Sequence, residues 1–262
     1  QTLEKTDKEC VMHLSPRKIQ WILTSDVTEG VQVWSGMNAL SLFSDYTIQS
    51  LNNNHIGLRL QFAHLHKTLA SANYSTDISV RLIKLHDKPY LCFSIFSMMN
   101  KEQTTSNIVH HVPVELLSAM QLDAIQEPMQ PDPDVHIMLP PLVELRPQID
   151  RMKNLSNFVF LWANMCGQLK IMIETDMVKV ATFYSNLKHP PMEGAPPPVP
   201  DPNVQCTVKV DVKKFSKFLY SHQVSPRNVV CCMTAGESLV LHVLLGDDSA
   251  FFMTYYLPII VD

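Results

Sequence analysis

The sequence predicts an α+β fold in which antiparallel sheets carry their helices on one face. The first observation is a pair of related stretches, "PDPDVHIML" at residues 131–139 and "PDPNVQCTVKV" at residues 200–210, each leading a proline-stiffened segment into an alternating strand. The second is the order that follows each stretch, one amphipathic helix and then three strands. A doubly wound parallel sheet needs about one helix per strand, so three strands per helix favour antiparallel sheets.

The same unit of one strand, one helix and three strands is predicted four times along the 262 residues. The first copy keeps only a helix-like remnant at residues 1–5, so its opening strand and most of its helix are expected to lie outside the sequence. The predicted strands are residues 10–14, 18–23, 31–35, 56–62, 78–84, 90–96, 107–114, 135–139, 158–163, 168–174, 177–184, 206–210, 228–234, 239–245 and 250–258. The predicted helices are about residues 63–74, 142–154 and 212–222. Four copies make two pairs, which predicts two similar domains.

Apolar spacing and capping chemistry justify the helices of the third and fourth copies. Their apolar stripes are Leu142, Leu145, Ile149 and Met152, and then Phe215, Phe218 and Leu219. Asp211 stands where the N-cap of the last helix belongs. Pro147 falls inside the third-copy helix, where it is predicted to produce a kink.

The domain boundary is predicted where strand alternation stops and prolines collect. This gives an N-terminal domain of residues 1–114, an inter-domain connector of residues 115–134 and a C-terminal domain of residues 135–262. A second proline-rich stretch, "HPPMEGAPPPVP" at residues 189–200, separates the third copy from the fourth. Its position favours a stiff connector, and a polyproline ligand for an SH3-like module is the alternative.

The composition excludes several classes of function. Six cysteines without a C-x-x-C pair favour a reducing compartment, nuclear or cytosolic, and the longest apolar run falls short of the roughly 20 residues of a membrane span, so no membrane association is expected. Only seven glycines occur, none in a phosphate-binding pattern, and no nucleophile or metal motif is present, so no enzyme activity, cofactor or metal is expected. The pairs His64/His66 and His110/His111 point their rings apart, and "GDD" at residues 246–248 is interpreted as a hairpin turn.

Basic residues collect on the helices although the chain carries a net charge of −4. Lys213, Lys214 and Lys217 lie largely opposite the apolar stripe of the last helix. The other helical cations are Arg146, Arg151, Lys153 and Lys67, the last accompanied by His64 and His66. A solvated surface is the plain interpretation. Several such helices on one concave surface would instead bind phosphates without reading base sequence.

Two predicted strands lack the inward-pointing charges and central prolines that usually protect a sheet edge. They are "TSNIVHHVPV" at residues 105–114 and "DMVKVATFY" at residues 176–184, the last strands of the second and third copies. Each strand has two possible interpretations from the sequence. It pairs with another chain, or other strands or loops of this chain cover it.

These features resemble a eukaryotic DNA sliding clamp. Stretches similar to the Hus-type subunit of the nine-one-one DNA-damage checkpoint clamp are "IQEPMQPDPDVHIMLP" at 125–140, "RMKNLSN" at 151–157, "GQLKIMIETDMV" at 167–178, "HPP" at 189–191, "IVHHVPV" at 108–114, "YYLPI" at 255–259 and "CVMHLSP" at 10–16. The resemblance covers nearly the whole chain. It implies a ring of three different subunits, with helices lining the hole and sheets outside, in which each proline-led strand begins a new unit.

The resemblance also implies functional positions. Duplex DNA would contact Lys67, Arg146, Arg151, Lys153, Lys213, Lys214 and Lys217. Neighbouring subunits would contact Ile108, Val109, His110 and Val112 on one edge and Val178, Val180, Thr182 and Phe183 on the other. A groove for client proteins would be formed by Leu122, Ile125, Tyr256, Leu257, Pro258 and Ile259.

The sequence thus predicts a non-catalytic, mainly nuclear and partly cytoplasmic subunit of a heterotrimeric ring. Its expected partners are two other clamp subunits, a clamp loader, duplex DNA bound without sequence preference, and checkpoint and repair clients. The alternatives are a homotrimeric replicative clamp, a β-rich scaffold that does not bind DNA, and an enzyme of α+β fold.

Overall fold

The structure, a computed structural model, describes residues 2–24, 30–73, 75–99, 104–190, 201–246 and 251–261. Most of the "GDDS" turn, residues 191–200 of the proline-rich segment and the predicted end of the first helix at residue 74 lie outside these ranges.

Strands dominate both halves of the chain. After a 3₁₀ turn at Leu3–Lys5, the first half contains β1 (Glu9–Leu14), β2 (Lys18–Thr24), β3 (Gln32–Asn38), α1 (Ala39–Leu42), β4 (Ile56–Gln61), α2 (Phe62–Ala70), β5 (Asp77–Leu85), β6 (Lys88–Met99), β7 (Thr104–Pro113), β8 (Glu115–Leu116) and α3 (Ala119–Asp123). The second half contains β9 (Val135–Met138), α4 (Leu142–Met152), β10 (Phe158–Asn164), β11 (Gln168–Glu174), β12 (Lys179–Tyr184), β13 (Cys206–Asp211), α5 (Val212–Phe218), a 3₁₀ helix (Leu219–Val224), β14 (Asn228–Thr234), β15 (Ser238–Leu245) and β16 (Phe251–Leu257).

The strands form three antiparallel sheets, as the sequence predicts. One sheet has nine strands in the order β8-β4-β1-β2-β3-β16-β15-β14-β9 and crosses both halves of the chain. Its central pairing, β3 with β16, runs from Phe251 opposite Met37 to Tyr256 opposite Gln32. The other sheets have the orders β12-β11-β10-β13 and β5-β6-β7.

The opening strands of the second, third and fourth units each pair with a neighbouring unit. Strand β4 pairs with β1, β9 with β14, and β13 with β10. Because these three units lend their first strand to another unit's sheet, the units of a pair are interlocked.

The apolar helix faces form the core with the sheets. Phe215, Phe218 and Leu219 are fully buried, and the Phe218 ring meets that of Tyr255 on β16 edge-on at 5.2 Å. The stripe predicted for α4 is also buried, and the Asp211 side chain caps α5 by accepting hydrogen bonds from the N–H groups of Lys213 and Lys214. The predicted helix faces are therefore confirmed.

The structure differs from the predicted elements in several places. The last helix is α-helical only to Phe218 and then tightens to a 3₁₀ helix, which ends at Ser225 with a φ of 49° just before Pro226. The elements α1, α3 and β8 were not predicted, and β8 and α3 lie within the expected connector. Helix α4 continues through Pro147, whose ring is on the exposed side.

Candidate functional site

The helices of both halves form one connected layer. His66 of α2 contacts the N-terminal 3₁₀ turn, because its Nδ1 atom lies 3.5 Å from the Glu4 carboxylate. That turn is followed by Thr6, whose carbonyl accepts a 3.1 Å hydrogen bond from Lys217 Nζ of α5. The Arg146 guanidinium of α4 stacks 4.3 Å from the ring centroid of Tyr220, in the 3₁₀ helix that follows α5. The layer therefore extends from α2 to α4.

The expected DNA-facing cations all lie on this layer and fall into three groups. Lys67, Arg151 and Lys213 are exposed, and their side chains have no hydrogen-bond or ion-pair partner in the described part of the chain. Asp150 neutralises part of the layer, because it lies 3.6 Å from Arg146 and 3.1 Å from Lys153. The remaining members are half-buried Lys214 and exposed Lys217. The exposed members are the ones whose side chains reach solvent, as a contact with phosphates requires.

Sequence reasoning missed what holds the less exposed cations. Asp150 is four residues after Arg146 and three before Lys153, a helical spacing that is visible in the sequence. Ser216, which lies 3.4 Å from Lys153 Nζ, and Tyr220 come from another helix, so no local pattern identifies them.

The two expected interface strands are both outermost strands. Strand β7 ends the three-stranded sheet and β12 ends the four-stranded sheet. Exposed apolar side chains at these edges are Ile108, Val109, Val178, Val180 and Phe183, with exposed Asn107, His111 and Lys179 beside them. Val112 differs from the expectation because its side chain is only 1% exposed, which leaves only its backbone for pairing. Thr182 and His110 are half-buried, and His110 Nε2 has no hydrogen-bond partner among the described residues.

The expected client groove is only partly assembled. Ile125 of the connector and Tyr256 of β16 each pack against a small cluster of Val11, Ile22 and Trp34. The Tyr256 hydroxyl accepts a hydrogen bond from Gln130 Nε2 and donates one to Glu127, each 2.9 Å long. Burial, together with the Glu127 carboxylate, raises the pKa of Tyr256, so this hydroxyl keeps its proton as a donor.

The other groove residues point elsewhere. Leu122 and Leu257 are buried, and a methyl group added at Gly57 would lie 2.9 Å from Leu122 Cδ1. Pro258 and Ile259 are half-exposed, and Ile259 forms a bridge with Val210 on the free side of β13. Ile125 and Tyr256 are thus the two expected residues that share one cluster.

Three of the described cysteine thiols are held in their unreactive form. Burial raises the pKa of the Cys10 thiol to about 12 and those of Cys206 and Cys232 to about 11, so these thiols remain protonated and weakly nucleophilic. Within the described ranges, no group of three or more His, Cys, Asp or Glu residues could hold a metal ion. Nor does any described helix have the length and apolar character needed to cross a membrane.

Two interlocked pairs of units, a helix layer and outer antiparallel sheets define a protein of the sliding-clamp fold. Solved structures with this fold include proliferating cellular nuclear antigen from Entamoeba histolytica, with a TM-score of 0.71 and 16% identity, covering 99% of this chain and 92% of that chain. The same antigen from Thermococcus kodakaraensis has a TM-score of 0.70 and 17% identity, covering 99% and 93%.

The chain belongs to the Hus1-like protein family, whose profile matches residues 1–261. It is 38% identical over 264 residues to the checkpoint protein hus1 homolog of Dictyostelium discoideum, covering 100% of this chain and 93% of the relative. It is 30% identical over 262 residues to human checkpoint protein HUS1, covering 98% and 91%. The predictions of a clamp fold and of a non-catalytic checkpoint clamp subunit are confirmed.

Proposed function

We propose that this chain is one of three different subunits that close into a ring around duplex DNA, where the ring marks damage and recruits checkpoint and repair proteins. The observation that carries the proposal is the presence of two different outermost strands, β7 and β12, in two different sheets. Contacts between two unlike surfaces repeat head to tail and generate a ring when the rotation closes.

The pairing inside the chain supplies the pattern for the contact between chains. Strands β3 and β16 are the last strands of the first and fourth units, and they pair antiparallel to join the two halves. Strands β7 and β12 are the last strands of the second and third units, so equivalent pairing between subunits would continue the same arrangement. The exposed apolar side chains of both strands fit such burial.

The helix layer supplies the DNA contacts of the proposal. Lys67, Arg151, Lys213 and Lys217 are exposed on it, and a ring would bring three such layers around one duplex. A closed ring stays on DNA because it encloses the duplex, so it needs no tightly fitting, strongly basic groove. A net charge of −4 is therefore compatible with this role. Contacts with phosphates alone give no sequence preference.

The remaining partners follow from the same proposal. A closed ring needs a loader that opens it, and the surface formed by Ile125 and Tyr256 is the proposed contact for clients. A ring that encloses chromosomal DNA must be located in the nucleus. An additional cytoplasmic fraction remains a prediction.

Native mass spectrometry of the chain purified with its cellular partners tests the ring. We expect a 1:1:1 complex with two other clamp-like chains. A homotrimer would instead support a replicative clamp, and a monomer would contradict the ring.

Retention on DNA tests the helix layer. The triple variant K213E/K214E/K217E is expected to assemble normally but to lose loader-dependent retention on circular DNA. The matched variant R81E/K84E/K88E reverses three exposed charges on the β5–β6 hairpin and should keep retention. Equal retention by both variants would overturn the DNA-facing assignment and favour a scaffold that does not bind DNA.

A further inference from the structure

One aromatic ring of the helix layer contacts cations from both halves of the chain. Tyr220 is half-buried in the 3₁₀ helix Leu219–Val224, which follows α5. The Arg146 guanidinium of α4 lies 4.3 Å from its ring centroid, and Lys5 Nζ of the N-terminal 3₁₀ turn lies 5.9 Å from the same centroid. Both distances are within the roughly 6 Å of a cation–π contact. The ring therefore joins a cation of the first half to a cation of the second.

The turn that carries Lys5 is fixed by the second half of the chain. Lys217 Nζ of α5 donates a 3.1 Å hydrogen bond to the carbonyl of Thr6, the residue after Lys5. The neighbouring carboxylate, Glu4, lies 3.5 Å from His66. Lys5 itself is exposed, and in the described part of the chain its side chain has no hydrogen-bond or ion-pair partner. Its backbone is thus held in place while its charge faces solvent.

Arg146 is held by its neighbours on α4 and on the 3₁₀ helix. His222 Nδ1 donates a 2.8 Å hydrogen bond to the Leu219 carbonyl, so its Nε2 is the atom that accepts from Arg146 Nη1 at 3.2 Å. Arg146 Nε lies 3.6 Å from Asp150. A guanidinium has five N–H donors, so the Nη2 group keeps its donors unpaired among the described residues. The Arg146 side chain is 31% exposed, which allows a ligand to reach it.

The two cations form a site for an anion with several oxygens. Because both adjoin one ring, their charges lie no more than about 10 Å apart. Like charges at this separation repel each other, and the negative face of the ring offsets part of that repulsion. Asp150 offsets little more, since it is shared with Lys153 at 3.1 Å. A phosphate accepts well from a guanidinium and from an ammonium group.

We propose that Tyr220 is a positioning residue of the helix layer, whose ring holds Lys5 and Arg146 as one pair that contacts the phosphates of duplex DNA. The inference rests on the proposed DNA contacts of this layer, and it adds Lys5 to them. Lys5 and Tyr220 lie at opposite ends of the chain, so no local pattern relates them. A duplex bound to this pair contacts both halves of the subunit where they join.

The salt dependence of duplex binding tests the pair, using the full chain, a short fluorescein-labelled duplex and fluorescence anisotropy. Loss of one phosphate contact lowers the slope of log affinity against log salt by about 0.9, which we expect for K5Q. Y220L should lower the slope by about 0.9 to 1.8, because one or both cations lose their position. Y220F keeps the ring face and should bind like the wild type. K5Q should also weaken binding less in the Y220L background than in the wild type, because the two residues act together.

The controls change the same residue types outside the helix layer. Y90L replaces a half-buried tyrosine of β6 whose ring packs edge-on against His111 at 6.2 Å. K88Q replaces an exposed lysine at the start of β6. Both should keep the wild-type slope. Urea midpoints of Y220L and Y220F identify any loss that is caused by unfolding, and K5Q changes only an exposed side chain, so it decides the test if Y220L is unstable.

The outcomes separate this inference from the proposed function. Wild-type slopes for K5Q and Y220L, together with lost binding by K213E/K214E/K217E, would overturn the pair and leave the other DNA contacts in place. Wild-type binding by all three would overturn both proposals. A loss in Y220F equal to that in Y220L would assign the effect to the hydroxyl group and overturn positioning by the ring.

Discussion

At the scale of single residues, Asp211 connects a strand to the basic helix. Its carboxylate accepts hydrogen bonds of 2.7 and 3.0 Å from the N–H groups of Lys213 and Lys214, which the first turn of α5 leaves unpaired. We expect D211A to lower the free energy of unfolding by about 1 kcal/mol. Urea denaturation measures the change. The variant D211N keeps a capping oxygen and should lose only a few tenths of this amount, so equal losses would argue against the cap as the cause.

Three partly buried histidines make stability depend on pH. Burial lowers the pKa values of His13, His136 and His242 below the ordinary value of 6.5, with His55 adding to the effect at His13. Because the unfolded chain regains the ordinary pKa, it binds more protons than the folded chain as the pH falls through 6.5 and below. We therefore expect the free energy of unfolding to decrease as the pH drops from about 8 to about 5.

Urea unfolding across that pH range measures the dependence, and H13Q is expected to reduce its slope. The His13 Nε2 atom lies 2.8 Å from His55 Nδ1, so one ring must donate and the other accept. The control H64Q changes an exposed residue of α2 and should leave the slope as in the wild type. A slope that H13Q leaves unchanged would assign the dependence to other groups.

At the scale of elements, the exposed edge of β12 allows assembly to be disrupted without destabilising the folded chain. Val178 and Val180 are 39% and 36% exposed there. Lysines on a sheet edge prevent pairing with another chain, so V178K/V180K is expected to abolish the proposed three-chain complex, which native mass spectrometry would measure. The free energy of unfolding of the isolated chain should change by less than about 1 kcal/mol, since surface substitutions usually cost little.

The control for this edge is M177K. Met177 is 93% exposed and precedes β12, so one added lysine there should leave the complex intact. An intact complex with V178K/V180K would show that β12 is not the contact between subunits.

The contrast between strands and short helices shows what sequence could predict. Strand β10 alternates between buried aliphatic and partly exposed aromatic residues, so its period is visible. Helices α1 and α3 have four and five residues, too few for a period, and are set by local caps from Asn38 and from the box of Ser118 with Gln121. The pairing of β9 with β14 joins distant parts of the chain, which no local pattern reveals.

The candidate site divides in the same way. The cationic side of α5 follows from its apolar stripe, and α5 places Lys213 and Lys217 in solvent as expected. Val112 has the same strand parity as Ile108, yet Val112 is buried and Ile108 is exposed, because the core lies under only one end of β7. Sequence parity gives the face of a strand and does not give the extent of the core beneath it.

At the scale of the whole molecule, the nine-stranded sheet joins the two halves of the chain into one hydrogen-bonded structure. Strands β3 and β16 pair along their length, and Lys217 of the second half bonds to the carbonyl of Thr6 in the first. A break in either half therefore exposes strand edges and core in the other. Such coupling suits a ring subunit, because a rigid chain fixes the angle between its two edges.

We therefore expect the chain to unfold in a single transition, which a core mutation in one half can test in the other. In a W162F background, fluorescence reports Trp21 and Trp34 of the first half. Adding L161A removes a fully buried side chain of β10 and should lower the free energy of unfolding by about 2–5 kcal/mol. The urea midpoints from tryptophan fluorescence and from circular dichroism should fall by the same amount. The control L51A changes a fully exposed leucine and should shift neither midpoint. The contrary result would be an unchanged fluorescence midpoint together with two separate transitions in circular dichroism. The two halves would then be independent domains, and the nine-stranded sheet would not couple their unfolding.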